Sequence, residues 1–109
     1  MNQTLPPTLT RYFAAQNAHD LDAMVACFAP DAVVHDEGED IVGPAAIRAW
    51  KEKTSAKYRV TVEPLERRDE DGRTVVVARV SGTFPGSPAN LTYRFGLTAS
   101  DQINALEVG

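Results

Sequence analysis

The spacing of apolar residues changes along this chain, and that change limits the possible folds more than any other feature of the sequence. Between Pro7 and Ala29 apolar residues recur at the three- and four-residue spacing of a helix with one buried face. From Tyr58 onwards they alternate with polar residues, as they do in strands. Helices followed by hairpin-linked strands are typical of an α+β domain, in which helices pack on a mainly antiparallel sheet. The same order argues against a βαβ nucleotide-binding fold.

Cap- and turn-forming residues divide the chain into elements. Asp20 can accept a hydrogen bond from the free amides of a helix start, so it separates two helices, and Pro30 is expected to end the second. A short strand is predicted over residues 32–36 and an acidic turn over residues 37–40, after which Gly43-Pro44 opens a third helix. Four strands are expected to follow, beginning at Tyr58, Thr74, Asn90 and Gln102.

The length of 109 residues allows one hydrophobic core but hardly two. Hydrophobic residues make up 43% of the chain and charged residues 24%, so it does not belong to the weakly hydrophobic, highly charged class that stays unfolded. No repeat, low-complexity tract or linker divides the sequence. We therefore expect a single domain over residues 1–109.

The charge balance excludes some partners. With 15 acidic and 11 basic side chains the net charge is -4, so no cationic surplus is available to neutralise nucleic acid or an anionic membrane. No apolar run approaches the roughly 20 residues that span a bilayer, and the first residues lack the pattern of a signal peptide. We expect a cytoplasmic protein with no nucleic acid or membrane partner.

The sequence carries no motif for a cofactor or a metal. It contains neither a glycine-rich phosphate-binding loop nor a G-x-S-x-G elbow. Cys27 is the one cysteine, which excludes an intrachain disulfide and favours a small buried residue. His35, Asp36 and the acidic residues of the 37–40 turn could suggest a metal site, but alternation points His35 and Asp36 to opposite faces. A solvated acidic turn without metal is the preferred interpretation.

Two stretches of the sequence resemble a known family. The stretch Arg11–Asp36 contains the signatures N-x-x-D, in Asn17–Asp20, and F-x-x-D-A, in Phe28–Ala32, and the second stretch is Gly43–Trp50. Both resemble the nuclear transport factor 2-like superfamily, and within it the ketosteroid isomerases and SnoaL-like polyketide cyclases. The resemblance implies a cystatin-like cone, in which N-terminal helices pack on a strongly curved, mainly antiparallel sheet. It also implies an apolar pocket at the open end of the cone and a homodimer.

Asp36 is the candidate general base. Alternation places its carboxylate on the same face as Val34 and Ala32, and apolar surroundings make a carboxylate a better proton acceptor. In the isomerases that this chain resembles, the matching aspartate moves a proton between carbons next to a ketone. The alternative is that Asp36 caps the following turn or faces solvent, as most aspartates do.

Two tyrosines are candidate hydrogen-bond donors to a developing enolate oxygen. Tyr12 matches an isomerase tyrosine with that role, and one such donor commonly lowers the barrier by about 3 kcal/mol. An aromatic residue at helical spacing is also a candidate for the core. Tyr93 stands where the isomerases place a protonated aspartate, the second donor. A tyrosine hydroxyl can donate too, but its bulkier ring argues against steroid isomerisation.

Apolar side chains on these elements are predicted to line the pocket, with core packing as the alternative. A pocket with few polar groups suits a small apolar molecule. The first hypothesis is therefore cofactor-independent proton transfer, as isomerisation or aldol-type cyclisation of an apolar carbonyl compound. The second is a noncatalytic ligand-binding or dimerisation module. The predicted lining residues are Met24, Trp50, Phe84 and Phe95.

Overall fold

The computed structural model describes residues 5–36 and 38–109. It confirms the predicted α+β order of helices followed by strands. Three helices and six strands are formed by these residues, in the order α1 (Pro7–Ala18), α2 (Leu21–Ala26), β1 (Phe28–Asp36), β2 (Glu39–Val42), α3 (Pro44–Tyr58), β3 (Thr61–Glu70), β4 (Arg73–Ser81), β5 (Ala89–Leu97) and β6 (Ile103–Val108).

The strands form one mixed sheet in the order β2-β1-β6-β5-β4-β3. β1 runs parallel to β6, and every other neighbouring pair is antiparallel. The register shifts between Phe28 and Val33, between Pro64 and Glu66, and between Gly96 and Leu97. Such irregularities bend strands and increase their twist, so they favour the curvature that wraps this sheet around the helices.

The N-x-x-D signature has a structural role at the corner between α1 and α2. Asn17 bonds the backbone of Val62 twice, since its Nδ2 donates to the carbonyl at 2.9 Å and its Oδ1 accepts from the amide at 2.7 Å. Asp20 caps α2 as predicted, because its Oδ1 accepts from the Ala23 amide at 3.1 Å. The signature thus ties α1 to β3 and begins the next helix.

Several boundaries differ from the sequence prediction, and β1 begins at Phe28 rather than at residue 32. The second helix ends at Ala26 rather than at Pro30, which instead lies in β1 beside a register shift, where a missing amide is tolerated. Glu39 and Asp40 begin strand β2, which pairs with β1, and Glu37 lies outside the described residues. Tyr58 is the last residue of α3, so the following strand begins three positions later, at Thr61.

The core between the helices and the sheet contains a cluster of aromatic rings. Tyr12 makes edge-to-face contacts with Phe13, Phe28 and Phe95 at centroid distances of 5.6, 5.6 and 5.9 Å. Tyr93 joins the cluster through Phe13 at 5.5 Å and stacks on Phe95 at 6.0 Å. Among the described residues, no helix is long and apolar enough to cross a membrane.

Candidate active site

A cavity of about 490 Å³ lies at the edge of this core, between α3 and the sheet. Its apolar wall is formed by Val60, Val80, Phe84, Pro85, Leu91 and Val108. Its polar groups come from Gln16, Asp36, Trp50, Lys51, Thr54 and Tyr93. An apolar cavity with a few converging polar groups is the usual form of a small-molecule site.

A second depression, of about 670 Å³, lies around Arg11, Cys27 and Asp101. None of the site residues predicted from the sequence lines it. Burial raises the pKa of the Cys27 thiol, which donates to the Ala23 carbonyl at 3.4 Å, so this cysteine has the buried role expected of it. The first cavity is therefore the candidate site, although its volume is smaller.

Asp36 lies at the end of β1 and lines the cavity. Its neighbours on the same face, Ala32 and Val34, are fully buried, whereas His35 is exposed on the other face. This is the alternation that the sequence predicted. The indole Nε1 of Trp50 donates a hydrogen bond to Asp36 Oδ2 at 3.0 Å. One carboxylate oxygen is thus held by α3, and within the described part of the chain Oδ1 accepts no hydrogen bond.

Lys51 is a site residue that was not predicted from the sequence. It lies on the inner face of α3, where Ile47, Lys51 and Thr54 recur at helical spacing, and only 6% of its surface is exposed. Ile47 is fully buried in the core, so Lys51 continues an apolar stripe. A lysine within such a stripe is the signal in the sequence that would have identified it.

The surroundings of Lys51 explain how an amine is accommodated there. Its Nζ donates a hydrogen bond to Gln16 Oε1 at 2.7 Å and lies 4.8 Å from the ring centroids of both Tyr12 and Trp50. Burial lowers the pKa of Lys51 to about 7, although the charge of Asp36 acts in the opposite direction. A substantial fraction of this amine is therefore neutral near pH 7.

Tyr93 is a buried residue of β5 that lines the cavity. Burial, and then the nearby charge of Asp36, raises the pKa of Tyr93 to about 12. Its hydroxyl is therefore protonated at neutral pH and can donate a hydrogen bond. Stacking on Phe95 fixes the plane of the ring.

Tyr12 is not among the residues that line the cavity. Its ring is packed in the aromatic cluster, only 1% exposed, and its hydroxyl has no hydrogen-bond partner among the described residues. Burial raises the pKa of Tyr12 well above its usual range, and the charges of Tyr93, Cys27 and Asp36 add to the effect. The predicted role of Tyr12 as a donor stays a prediction.

The four predicted lining residues divide evenly. Trp50 and Phe84 line the cavity, whereas Met24 and Phe95 are completely buried in the core, outside its wall. Met24 lies on α2 and Phe95 packs between the rings of Tyr12 and Phe13, so neither reaches the cavity. Strand alternation placed Phe95 on the correct face of β5 but could not give its depth.

His35 and Asp40 pair on the outer face of the sheet. The two side chains are 2.7 Å apart between His35 Nδ1 and Asp40 Oδ1, and the hydrogen bond raises the pKa of His35. Over residues 5–36 and 38–109 no group of three or more His, Cys, Asp or Glu side chains could hold a metal ion. The pair lies on the face of the sheet opposite to Asp36, which lines the cavity, as alternation predicted.

Comparison with known proteins identifies relatives of this chain. Residues 9–100 match the SnoaL-like domain family. A proposed polyketide cyclase from Sinorhizobium meliloti is 41% identical, and the match covers 96% of this chain and 95% of that one with a TM-score of 0.90. A search of curated proteins finds no match.

Two more distant solved structures share the fold. SalBIII, an epoxide hydrolase/cyclase-like enzyme of pyran ring formation in the polyether salinomycin, is 24% identical over 94% of this chain and 86% of its own, with a TM-score of 0.80. A Catenulispora acidiphila protein with a ketosteroid isomerase-like fold, in complex with trimethylamine, is 22% identical over 97% and 86%, with a TM-score of 0.81. At these identities the likeness concerns the fold.

The family match extends over most of the chain, and the helices and curved mixed sheet agree with the fold of its structural neighbours. The matched residues include both stretches on which the resemblance was based. The chain therefore belongs to the SnoaL-like domain family, within the nuclear transport factor 2-like and ketosteroid isomerase-like fold.

Proposed function

We propose that this protein binds a small apolar carbonyl compound in the cavity and catalyses proton transfer on it, with Asp36 as general base. The observation that supports this most directly is the position of the Asp36 carboxylate in a largely apolar cavity, with one oxygen held by Trp50. The other oxygen, Oδ1, is available to take a proton from a carbon next to the carbonyl group. Trp50 acts as a positioning residue, since it fixes the direction in which Asp36 points.

The negative charge that develops on the substrate oxygen requires a hydrogen-bond donor to stabilise it. Tyr93 is the best placed tyrosine, because it lines the cavity and remains protonated at neutral pH. The protonated fraction of Lys51 supplies a second donor from α3. Donors that are fixed before the reaction stabilise an enolate without reorganisation, which is where most of their catalytic effect arises. Tyr12 would act only if its hydroxyl turned towards the cavity.

The fate of the enolate sets the reaction class. Return of the proton to a different carbon gives isomerisation, whereas attack of the enolate carbon on a second carbonyl group of the same molecule gives an aldol-type ring closure. The proposed cyclase activity of the Sinorhizobium meliloti relative and the ring formation in which SalBIII takes part favour cyclisation. A volume of about 490 Å³ admits a compact mono- or bicyclic product.

Asp36→Asn tests the base directly. Proton exchange at the α-carbons of a panel of small cyclic ketones and enones would be followed by NMR in deuterated buffer. Asparagine keeps the size of the side chain and can still accept from Trp50, so we expect a loss of about 100-fold or more with little change in folding. Asp40→Asn, an exposed carboxylate on the outer face, is the matched control. Unchanged exchange in Asp36→Asn would show that Asp36 is not the base.

A noncatalytic ligand-binding module is the second candidate. It is supported by Tyr12, which is not among the residues that line the cavity and whose buried hydroxyl has no described hydrogen-bond partner. In that case the same panel would bind, as judged by quenching of Trp50, the one tryptophan of the chain, without any exchange above the buffer rate. Exchange that Asp36→Asn abolishes would reject the module.

We also propose that the protein forms a homodimer through the outer face of β4 and β5. The register places Val77 opposite Thr92 and Val75 opposite Arg94, so these residues share the face away from Tyr93. Arg79 continues that face and pairs with Glu63. Sedimentation of the wild type and of an Arg94→Glu variant would test this, and a wild-type monomer at micromolar concentration would contradict it.

A further inference from the structure

The three lysines of the chain all lie on α3, but they differ in exposure. Lys53 and Lys57 are exposed, whereas Lys51 is buried at the cavity wall. Burial of a lysine is costly and is rarely found without a partner of opposite charge. Within the described ranges, no carboxylate lies within ion-pair distance of Lys51. A lysine in this position calls for an explanation beyond packing.

Burial favours the neutral form of Lys51, although the groups in contact with its Nζ favour the protonated form. Its Nζ meets the amide oxygen of Gln16 and the rings of Tyr12 and Trp50, and Asp36 is the nearby charge that favours protonation. Desolvation outweighs that charge. With a pKa of about 7, roughly half of the amine is neutral at pH 7, compared with roughly one molecule in three thousand for an ordinary lysine.

We propose that Lys51 is a nucleophile that forms an imine with aldehydes and ketones entering the cavity. The proposal rests on the proposed function for the entry of a carbonyl compound and for Tyr93 as donor, but it does not require Asp36 to take a proton from carbon. Lysine amines in apolar pockets are activated by the same desolvation in other carbonyl-processing sites. The substrate class is a small apolar aldehyde or ketone, because six of the lining residues are apolar.

The atoms of the step balance without a further reactant. The neutral Nζ attacks the carbonyl carbon, so a C–N bond forms and the carbonyl electrons move to oxygen, towards the Tyr93 hydroxyl. The C–O bond then breaks, and the oxygen leaves as water with the two hydrogens that Nζ has lost. Asp36 can carry these protons between nitrogen and oxygen, because it lines the same cavity. Gln16 is a positioning residue, since it accepts from Nζ.

Reductive trapping tests the nucleophile. The whole protein would be incubated near neutral pH with benzaldehyde and cyanoborohydride, and labelling of each lysine would be followed by peptide mass spectrometry. We expect Lys51 to be labelled at least about tenfold faster than Lys53 or Lys57, because of its neutral fraction. Its rate should level off above about pH 7, while the rates of the other two continue to rise. The two exposed lysines are internal controls.

Two further samples keep the test decisive. Urea-unfolded protein should lose the preference for Lys51, because desolvation is lost. Gln16→Glu places a carboxylate beside Nζ, so it should slow labelling of Lys51 at neutral pH and restore it at higher pH. Equal labelling of all three lysines in the folded protein, or a Lys51 rate that rises in parallel with the others, would overturn the proposal.

The Asp36→Asn variant separates this proposal from the proposed function. If it loses proton exchange while Lys51 of the wild type is not preferentially labelled, the base is supported and the imine is rejected. If exchange is unchanged but Lys51 is labelled selectively, the imine is supported and the base is rejected. Lys51→Arg keeps a cation on the same helix and should eliminate the fast label, with circular dichroism confirming that it is folded.

Discussion

The interior of this protein has two neighbouring regions that are built from the same elements and filled differently. The aromatic region, around Tyr12, Phe28 and Phe95, is closed by edge-to-face ring contacts. The cavity region, around Asp36 and Lys51, is left open to a volume of about 490 Å³. α3 contributes to both, since Ile47 is in the core and Lys51 is at the cavity.

The difference between the regions lies in which polar atoms have partners. At the cavity, Trp50 donates to Asp36 and Lys51 donates to Gln16, so polar groups there are paired but keep capacity for a ligand. In the aromatic region the Tyr12 hydroxyl is buried without a described partner. The cavity is thus the part of the interior that contains paired polar side chains, whereas ring packing fills the aromatic region.

Truncation of one phenylalanine in each region gives the largest expected effect. Phe95→Ala would leave a void in the closed region and should lower the free energy of unfolding by about 3–5 kcal/mol. Phe84→Ala, at the half-buried cavity wall, should cost clearly less, about 1–2 kcal/mol, because its site is already open to solvent. Urea denaturation of both variants measures the difference. Equal losses would break the distinction between a closed and an open region.

Removal of the hydroxyl group from Tyr93 and from Tyr12 should affect activity differently, because only Tyr93 lines the cavity. Tyr93→Phe should reduce proton exchange by about 100-fold, which corresponds to about 3 kcal/mol in the barrier, because it removes the cavity donor. Tyr12→Phe should leave exchange within about twofold and raise stability by about 1 kcal/mol, since it deletes an unpaired buried hydroxyl. NMR exchange and urea denaturation check both expectations. A large loss of exchange in Tyr12→Phe would extend the site into the aromatic region.

Much of this arrangement could be predicted from the sequence, where local signals decide structure. Asp20 as a helix cap and the inward face of Asp36 follow from backbone rules that need no tertiary information. The end of α3 at Tyr58 could not be predicted, because a few alternating apolar and polar residues are also compatible with the end of a helix. Strand β2 could not be predicted for a different reason, since Glu39 and Asp40 are typical of turns and form a strand by pairing with β1.

Which of the inward-facing residues line the cavity depends on how deep they lie in the interior. The periodicity of the sequence does not give that depth. Met24 and Phe95 are on inward faces, as predicted, but they are buried in the core and do not line the cavity. Tyr12 faces inward too, but its ring packs against other rings and it is not among the residues that line the cavity. Lys51 was missed because a charged residue is first assigned to solvent, although its helical position is buried.

The burial of Lys51 should make the stability of the cavity region depend on pH. The pKa is about 7 in the folded protein and 10.5 in the unfolded chain, so the unfolded state binds more protons between these values. The free energy of unfolding should therefore rise with pH, by about 2 kcal/mol from about pH 7 to about pH 9. Lys51→Met should remove this rise. Parallel curves for the two proteins, from urea denaturation, would contradict the burial of an ionisable amine.

The smallest effect is expected at His35, next to Asp36 but on the outer face of β1. The hydrogen bond that His35 donates to Asp40 raises the pKa of His35, so its contribution to stability is present below the ordinary value of 6.5 and is lost as pH rises through the raised value. Asp40→Asn should move the His35 midpoint in an NMR titration down towards 6.5. Because both side chains are exposed, the proton exchange assigned to Asp36 should not change. A change in that exchange would mean that charge on the outer face reaches the cavity through β1, and the site would then include both faces of the strand.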